Sequence, residues 1–358
     1  MPILVKFVRF CTHCLVHARR DLYAGLGRLA TLLRRVIGNA DPRRSWPKDV
    51  VLVADSMKTS PIGLVRNALV LGREGCLCDA RGRLIGQIAP RAGFLTGWAH
   101  PVMQRLRSWR LGESEQEAIL LSGGHPDNYY HWMFEVLPRV LLLEQHGVAL
   151  DRCTVLAPQG TAFQRESLSA LGFAASKIRA LTGDEAIPVG LLHCTLPPFS
   201  SVIPREEVCR WLGRRLGHAA GGQRRLLLHR RRGKRSIANF DEMVAALAPE
   251  GFEVIVAEKL TVAEQIETFA SAECVIAPHG AGLSNLVFCR PGTRVIEIIS
   301  ADYRTRLYGD IAADCGLCYS AIEATPVGRW WELREGSKQM RVNVKKLPHL
   351  LGPVHQLR

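Results

Sequence analysis

Residues 274–285 read Cys-Val-Ile-Ala-Pro-His-Gly-Ala-Gly-Leu-Ser-Asn. The apolar run Cys274–Ala277 is too short for a helix and is bounded by turn residues, which predicts a buried strand. Gly280 and Gly282 then let the backbone turn tightly, and Leu283-Ser284-Asn285 opens a short helix. Such a turn brings backbone N–H groups and the positive end of a helix to one place, where an anion can bind. The competing reading is a tight strand-to-helix turn that holds nothing. It is not a dinucleotide fingerprint, because Asn285 stands where the third glycine belongs.

The same alternation extends outward from this stretch. Arg224–His229, Phe252–Val256 and Arg294–Ile298 read as strands, and Asp241–Leu247 and Val262–Ala270 as helices between them. Strands alternating with helices predict a doubly wound parallel sheet. Upstream, Val50–Ala54, Ala118–Leu121 and Thr154–Ala157 read as shorter strands. Pro197, Pro198 and Pro204 mark a crossover between domains. The expected division is a basic amphipathic segment over 1–48, an α/β domain over 49–205 and a second α/β domain over 206–358.

Composition describes a globular chain of 358 residues with 47% hydrophobic and 22% charged residues, long enough for two domains. The formal net charge is +14, and residues 1–48 alone hold ten Lys or Arg against two Asp. That concentration calls for a negative partner: membrane phosphate, nucleic acid or an acidic glycan. Leu22, Leu26, Leu29, Leu33 and Val36 form one apolar helical stripe with arginines opposite, the pattern of a helix lying in a membrane interface. A core-packed helix with a solvated basic face, or an Arg-rich transit peptide, would give a similar pattern. Residues 17–37 are thus expected to meet an anionic membrane surface. No run of about 18 uninterrupted apolar residues is present for a spanning helix. The eleven cysteines show no regular framework and read as reduced, mostly buried thiols. Cys11-Thr12-His13-Cys14 has zinc-like spacing without a matching half, and no metal site is expected.

Three further groups could carry chemistry. Arg230, Arg231, Arg232, Lys234 and Arg235 follow the strand Arg224–His229, and guanidinium is the preferred planar partner of phosphate oxygens. With His279, Gly280, Ala281, Gly282, Ser284 and Asn285 they would form the two halves of a phosphate cradle. Asn128-Tyr129-Tyr130-His131-Trp132, followed by Glu135, is rich in aromatics. His131 and Glu135 are four apart and share a helical face, the arrangement of an imidazole base oriented by a carboxylate. Glu297, near the end of its strand, could accept hydrogen bonds from ribose hydroxyls.

These blocks together resemble glycosyltransferase family 61. Asn128–Trp132 with Glu135 and Leu137-Pro138-Arg139 is similar to its first block. Arg230 and Arg235 with Asn239 and Glu242 are similar to the second, and His279–Asn285 with Pro291-Gly292 and Val295–Glu297 to the third. His229 stands where the family usually has serine. The resemblance implies a GT-B-like fold of two Rossmann-like doubly wound domains facing a cleft. It also implies inverting transfer of a sugar from a nucleotide donor, commonly UDP-linked, and the lack of any Asp-x-Asp in the sequence predicts that the transfer is metal-independent. The donor would sit on Arg230, Arg235, His279–Gly282, Ser284, Asn285 and Glu297. The acceptor side would comprise Asn128, Tyr130 and Trp132, with His131, Glu135 or Asp127 as base. No cofactor is expected beyond the nucleotide sugar, and the acceptor would be a glycan or a lipid-linked species. A bacterial enzyme of capsule or lipopolysaccharide synthesis, cytoplasmic and peripheral to the inner membrane, is the expected setting. A nucleic-acid-binding protein, or an enzyme using another phosphorylated cofactor, is the alternative. Against nucleic acid as a partner, the aromatics lie apart from the basic segments.

Overall fold

The computed structural model describes residues 50–52, 62–78, 110–195, 203–217, 221–231, 234–327, 339–347 and 351. The basic amphipathic helix and the Cys11/Cys14 pair lie outside the described residues. The unit Asp49–Arg358 is compact and is mixed α/β, built on two sheets.

The first sheet comprises β1 (Val50–Leu52), β2 (Ile62–Leu71), β3 (Cys76–Cys78), β4 (Arg110–Leu111), β5 (Glu115–Leu120), β6 (Thr154–Ala157), β7 (Ile178–Ala180) and β8 (Glu185–Thr195). Its order is β1-β2-β8-β5-β6-β7, with β3 beside β2 and β4 beside β8. Strands β8, β5, β6 and β7 run parallel, whereas β2 lies antiparallel to β1, β3 and β8. The first half therefore differs from a fully parallel doubly wound sheet: a long antiparallel pair forms one flank. After β5 the chain enters α1 (Tyr129–His131), which runs directly into a π turn over Trp132–Val136, then α2 (Arg139–Gln145); α3 (Ala162–Ala170) follows β6.

The second half opens with α4 (Arg205–Arg215), directly after Pro204. Its sheet has β9 (Arg224–Leu228), β10 (Phe252–Ile255), β11 (Ala272–Pro278), β12 (Arg294–Ser300), β13 (Cys318–Val327) and β14 (Gln339–Arg341), in the order β10-β9-β11-β12-β13-β14. All but β14 are parallel, as the alternation predicted. The crossovers α5 (Phe240–Leu247) and α6 (Val262–Ala270) cover opposite faces. Phe240, Met243 and Leu247 pack with Leu227, Cys274 and Ile276, while Val262, Ile266 and Phe269 pack with Leu226, Leu228, Val275 and Ala277. Adjacent residues of one strand thus feed two different cores, as the period of two requires. A capping box fixes the start of α6: the Thr261 hydroxyl accepts the Glu264 N–H at 3.2 Å, and the Glu264 carboxylate accepts the Thr261 N–H at 2.8 Å. The last helix is α7 (Leu307–Asp314).

One apolar cluster joins the two halves. Ile119, Leu121, Trp132 and Leu137 from the first sheet and its helices belong to the same buried cluster as Phe269 and Leu286 from the second.

Candidate active site

Because β9 and β11 are parallel, hydrogen-bonded neighbours, their carboxyl ends finish side by side, and whatever follows each strand meets the other. The sheet order also reverses here: the chain steps from β9 outward to β10, then returns past β9 to β11. In open α/β sheets that reversal opens the crevice in which ligands bind. His229 and Arg230 leave β9 into this crevice, and His279–Gly282 leave β11.

The convergence is tight. Arg230 Nη1 donates to the His279 carbonyl at 3.0 Å, and Arg235 Nε donates to the same oxygen at 3.3 Å. Burial, followed by the charge of Arg235, lowers the Arg230 pKa. A β-carbon built at Gly280 would come within 2.2 Å of Arg230 Nη1, whereas one at Gly282 would meet nothing closer than Leu228 Cδ2 at 3.4 Å. A side chain at position 280 would therefore push the Arg230 guanidinium from its place. Arg235 takes a positive φ of 63°, and its guanidinium carbon lies 4.9 Å from the Tyr303 ring centroid. The segment after Gly280 is a 3-10 helix over Ala281–Phe288 rather than an α-helix.

Across the crevice stands the aromatic segment. Asn128 caps α1, its Oδ1 accepting from the backbone N–H of Tyr130 at 3.0 Å and of His131 at 3.4 Å. Asp127, Asn128 and Tyr129 line the same cleft as Arg230, Gly280 and Gly282, enclosing about 400 Å³. His229 lines it too, its ring stacked on Phe240 with centroids 3.8 Å apart. Burial, then the charge of Arg231, lowers the His229 pKa.

The candidate bases are placed differently from one another. Asp127 lines the cleft, but its carboxylate pairs with Arg73 and lies 3.4 Å from Gln164 Nε2. His131 Nδ1 lies 2.8 Å from Glu135 Oε2, as the i,i+4 spacing predicted, without the alignment of a linear hydrogen bond. His131 belongs to a row of rings, with the His125 centroid 5.1 Å from its own. Centroids of His279 and Tyr308 are 5.0 Å apart, those of Tyr308 and Tyr130 6.2 Å, and those of Tyr130 and His131 5.4 Å. Burial, then Glu135, pushes the Tyr130 phenol up to about 12. Arg139 is buried and donates to the Glu135 carbonyl oxygen at 2.9 Å, holding the backbone of the π turn.

Five side chains expected to touch ligand are instead buried, His279 among them at 4% exposure. The Trp132 side chain is fully buried and its indole N–H donates to Ser167 Oγ at 2.8 Å, so it builds the core and does not face an acceptor. Asn285, also fully buried, accepts from the Tyr129 hydroxyl and donates to Gln265 Oε1, both at 2.7 Å; it ties α1 to the second sheet. Ser284 has no exposed surface. Glu297 has none either, and both its oxygens are taken. Oε1 lies 2.5 Å from His279 Nδ1, and Oε2 accepts from the Tyr319 hydroxyl at 2.6 Å. It cannot reach a ribose; it fixes the orientation of the His279 ring. The paired strands explain the geometry, since Ala277 lies opposite Glu297 and Glu297 opposite Ala321.

Sequence reasoning missed Arg73, Gln164, Phe163, Glu258, Tyr308 and Tyr319. Of these, Gln164 had a local signal, the Thr161-x-x-Gln164 capping box. The others come from elements distant in sequence.

Residues 129–296 match the family model Glycosyltransferase 61. Just under half of the chain is thus similar to glycosyltransferase family 61. Three rice proteins are similar to it. The beta-1,2-xylosyltransferase XAX1 is 36% identical over 29% of this chain and 19% of its own length. The beta-1,2-xylosyltransferase XYXT1 is 42% identical over 21% and 16%, and the alpha-1,3-arabinosyltransferase XAT2 is 32% identical over 33% and 20%. The chain thus spans a fifth or less of the length of these relatives. The matched segment runs from the first residue of α1 into β12, so it holds most of the aromatic segment, both arginines and the glycine turn.

Proposed function

We propose that this protein transfers a sugar, with inversion, from a nucleotide donor to a glycan. The observation that carries the reading is the meeting of Arg230 and Arg235 on the His279 carbonyl, at the glycine turn and across a cleft from Asp127–Tyr129. The fold would be GT-B-like, with the donor diphosphate lying against Arg230, Arg235 and the backbone of Gly280–Gly282. Positive groups fixed in advance around a leaving diphosphate can lower a barrier by several kcal/mol.

In the single displacement proposed, His131, held by Glu135, takes the proton of the acceptor hydroxyl. That oxygen forms its bond to the anomeric carbon while the bond from that carbon to the diphosphate oxygen breaks. The diphosphate leaves with its electron pair onto the two guanidiniums. His131 is partly exposed and so open to an acceptor. No Asp-x-Asp occurs in the sequence, so the arginines are given the charge-neutralising part that a metal would otherwise take. Retention of donor binding by His131→Ala with loss of turnover is expected; unchanged turnover would rule it out as base.

UDP is the proposed carrier. The names of the rice relatives put pentoses beside hexoses among the donor sugars to test. A surface polysaccharide acceptor and a cytoplasmic, membrane-peripheral setting through residues 17–37 are proposed on the basic N-terminal charge. The deciding experiment is a thermal-shift panel of UDP, GDP, CMP, NAD and NADP, followed by donor hydrolysis with the best nucleotide. Stabilisation by UDP is expected; stabilisation by NADP alone would move the reading to another cofactor.

A further inference from the structure

Three metal-ligating side chains meet on one face of the first sheet, and none of them lines the cleft. Strand register puts them there. His193 of β8 pairs with Ile119 of β5, and Glu117, two residues earlier, shares that face. Thr154 of β6 pairs with Ala118, so Cys153, just before it, falls beside Glu117. An imidazole nitrogen, a carboxylate oxygen and a thiol sulfur thereby come within 4.8 Å of one another. His193 Nε2 is 2.8 Å from Glu117 Oε1. The Cys153 thiol is buried, and its hydrogen bond to the Ala149 carbonyl is 3.5 Å long, a weak contact for sulfur.

We propose that Glu117, Cys153 and His193 bind a zinc ion. Sulfur with imidazole selects zinc over magnesium or calcium, which take oxygen ligands. Tetrahedral zinc with ligands at about 2.0–2.3 Å spaces them roughly 3.5 Å apart. A water completes the four ligands. Binding displaces the thiol proton to solvent and leaves thiolate on the metal. The partly exposed Glu117 side chain gives the ion an entry path. The site is structural: it clamps β8, β5 and β6, the strands from which α1 and the aromatic segment are launched. It does not depend on the sugar-transfer reading, and it is separate from the diphosphate cradle.

The test uses the full chain, purified after growth with zinc and dialysed against buffer. Elemental analysis is expected to find about one zinc per chain. Cys153→Ala and His193→Ala should each lose it, while a Cys11→Ser, Cys14→Ser double variant keeps it. Cobalt replacement should give a thiolate-to-cobalt absorption band in the parent and none in Cys153→Ala. Circular dichroism of each variant checks folding. Should a variant unfold, the Glu117→Gln chain is titrated with cobalt instead and is expected to bind at least tenfold more weakly. Absence of stoichiometric zinc together with absence of the cobalt band overturns the proposal, as does zinc that survives both alanine variants or leaves with Cys11 and Cys14.

Discussion

Arg230 sits where its charge is least at ease: mostly buried, beside a second guanidinium, and bonded to a neutral carbonyl. A bound diphosphate would relieve that. Arg230→Ala is expected to weaken UDP binding by at least tenfold, in line with about 1.5–3 kcal/mol for a hydrogen bond to a charged group. Arg230→Lys should recover only part of it, because ammonium lacks the planar fork; isothermal titration calorimetry reads both. Gly280→Ala forces the guanidinium away from its carbonyl and should reproduce the Arg230→Ala defect with little loss of stability. Gly282→Ala, whose new methyl meets only ordinary contacts, should bind UDP as the parent does. Glu297 makes the opposite case. Ala in its place strands the buried His279 ring and leaves the half-buried Tyr319 hydroxyl without its acceptor, at a cost of about 3 kcal/mol. Glu297→Gln should fold and lower kcat more than KM, since the donor contacts remain while the His279 ring loses its fixed tautomer.

At the scale of the element, Trp132 separates what could be read in the sequence from what could not. An aromatic beside His131 reads as a ligand contact when its surroundings are unknown. The π turn over Trp132–Val136 carries the indole inward, where its N–H finds Ser167 on α3. Trp132→Ala should therefore destabilise the protein by about 3–5 kcal/mol, and a melting curve, not an acceptor titration, will show it. Strands β9, β11 and β12 were legible because each carries an apolar run buried on both faces, whereas β10, at the sheet edge with Glu253 and Val254 exposed, was legible from its place between two helices. The long pair β2 and β8 was not. Each mixes buried and exposed positions without clean alternation, and their pairing joins residues far apart in sequence. The same distance hid Glu297. Its place at the end of an apolar strand was readable, but Tyr319 and His279 reach it only through strand pairing, which no local pattern records.

Across the whole molecule the two sheets are joined by chemistry as well as packing. Tyr129 on the first side donates to Asn285 on the second, and the Val262 N–H at the start of α6 donates to Glu166 of α3 at 2.7 Å. Tyr129→Phe should cost about 1 kcal/mol. Asn285→Ala should cost more, because it leaves both the Tyr129 hydroxyl and Gln265 without partners; chemical denaturation compares them. At this scale, too, no helix among the described residues is long and apolar enough to cross a membrane. Flotation with anionic liposomes, comparing the full chain with one lacking residues 1–45, is expected to show binding that the shortened chain loses. The two guanidiniums sharing one carbonyl bear on turnover as well. In the proposed reaction the nucleoside diphosphate released would carry more negative charge than the sugar-bearing donor, and so would meet the two guanidiniums more favourably. The spent carrier is thus gripped harder than the fresh one. Its departure should limit steady-state rate, and a phosphatase that destroys it should make the enzyme run faster.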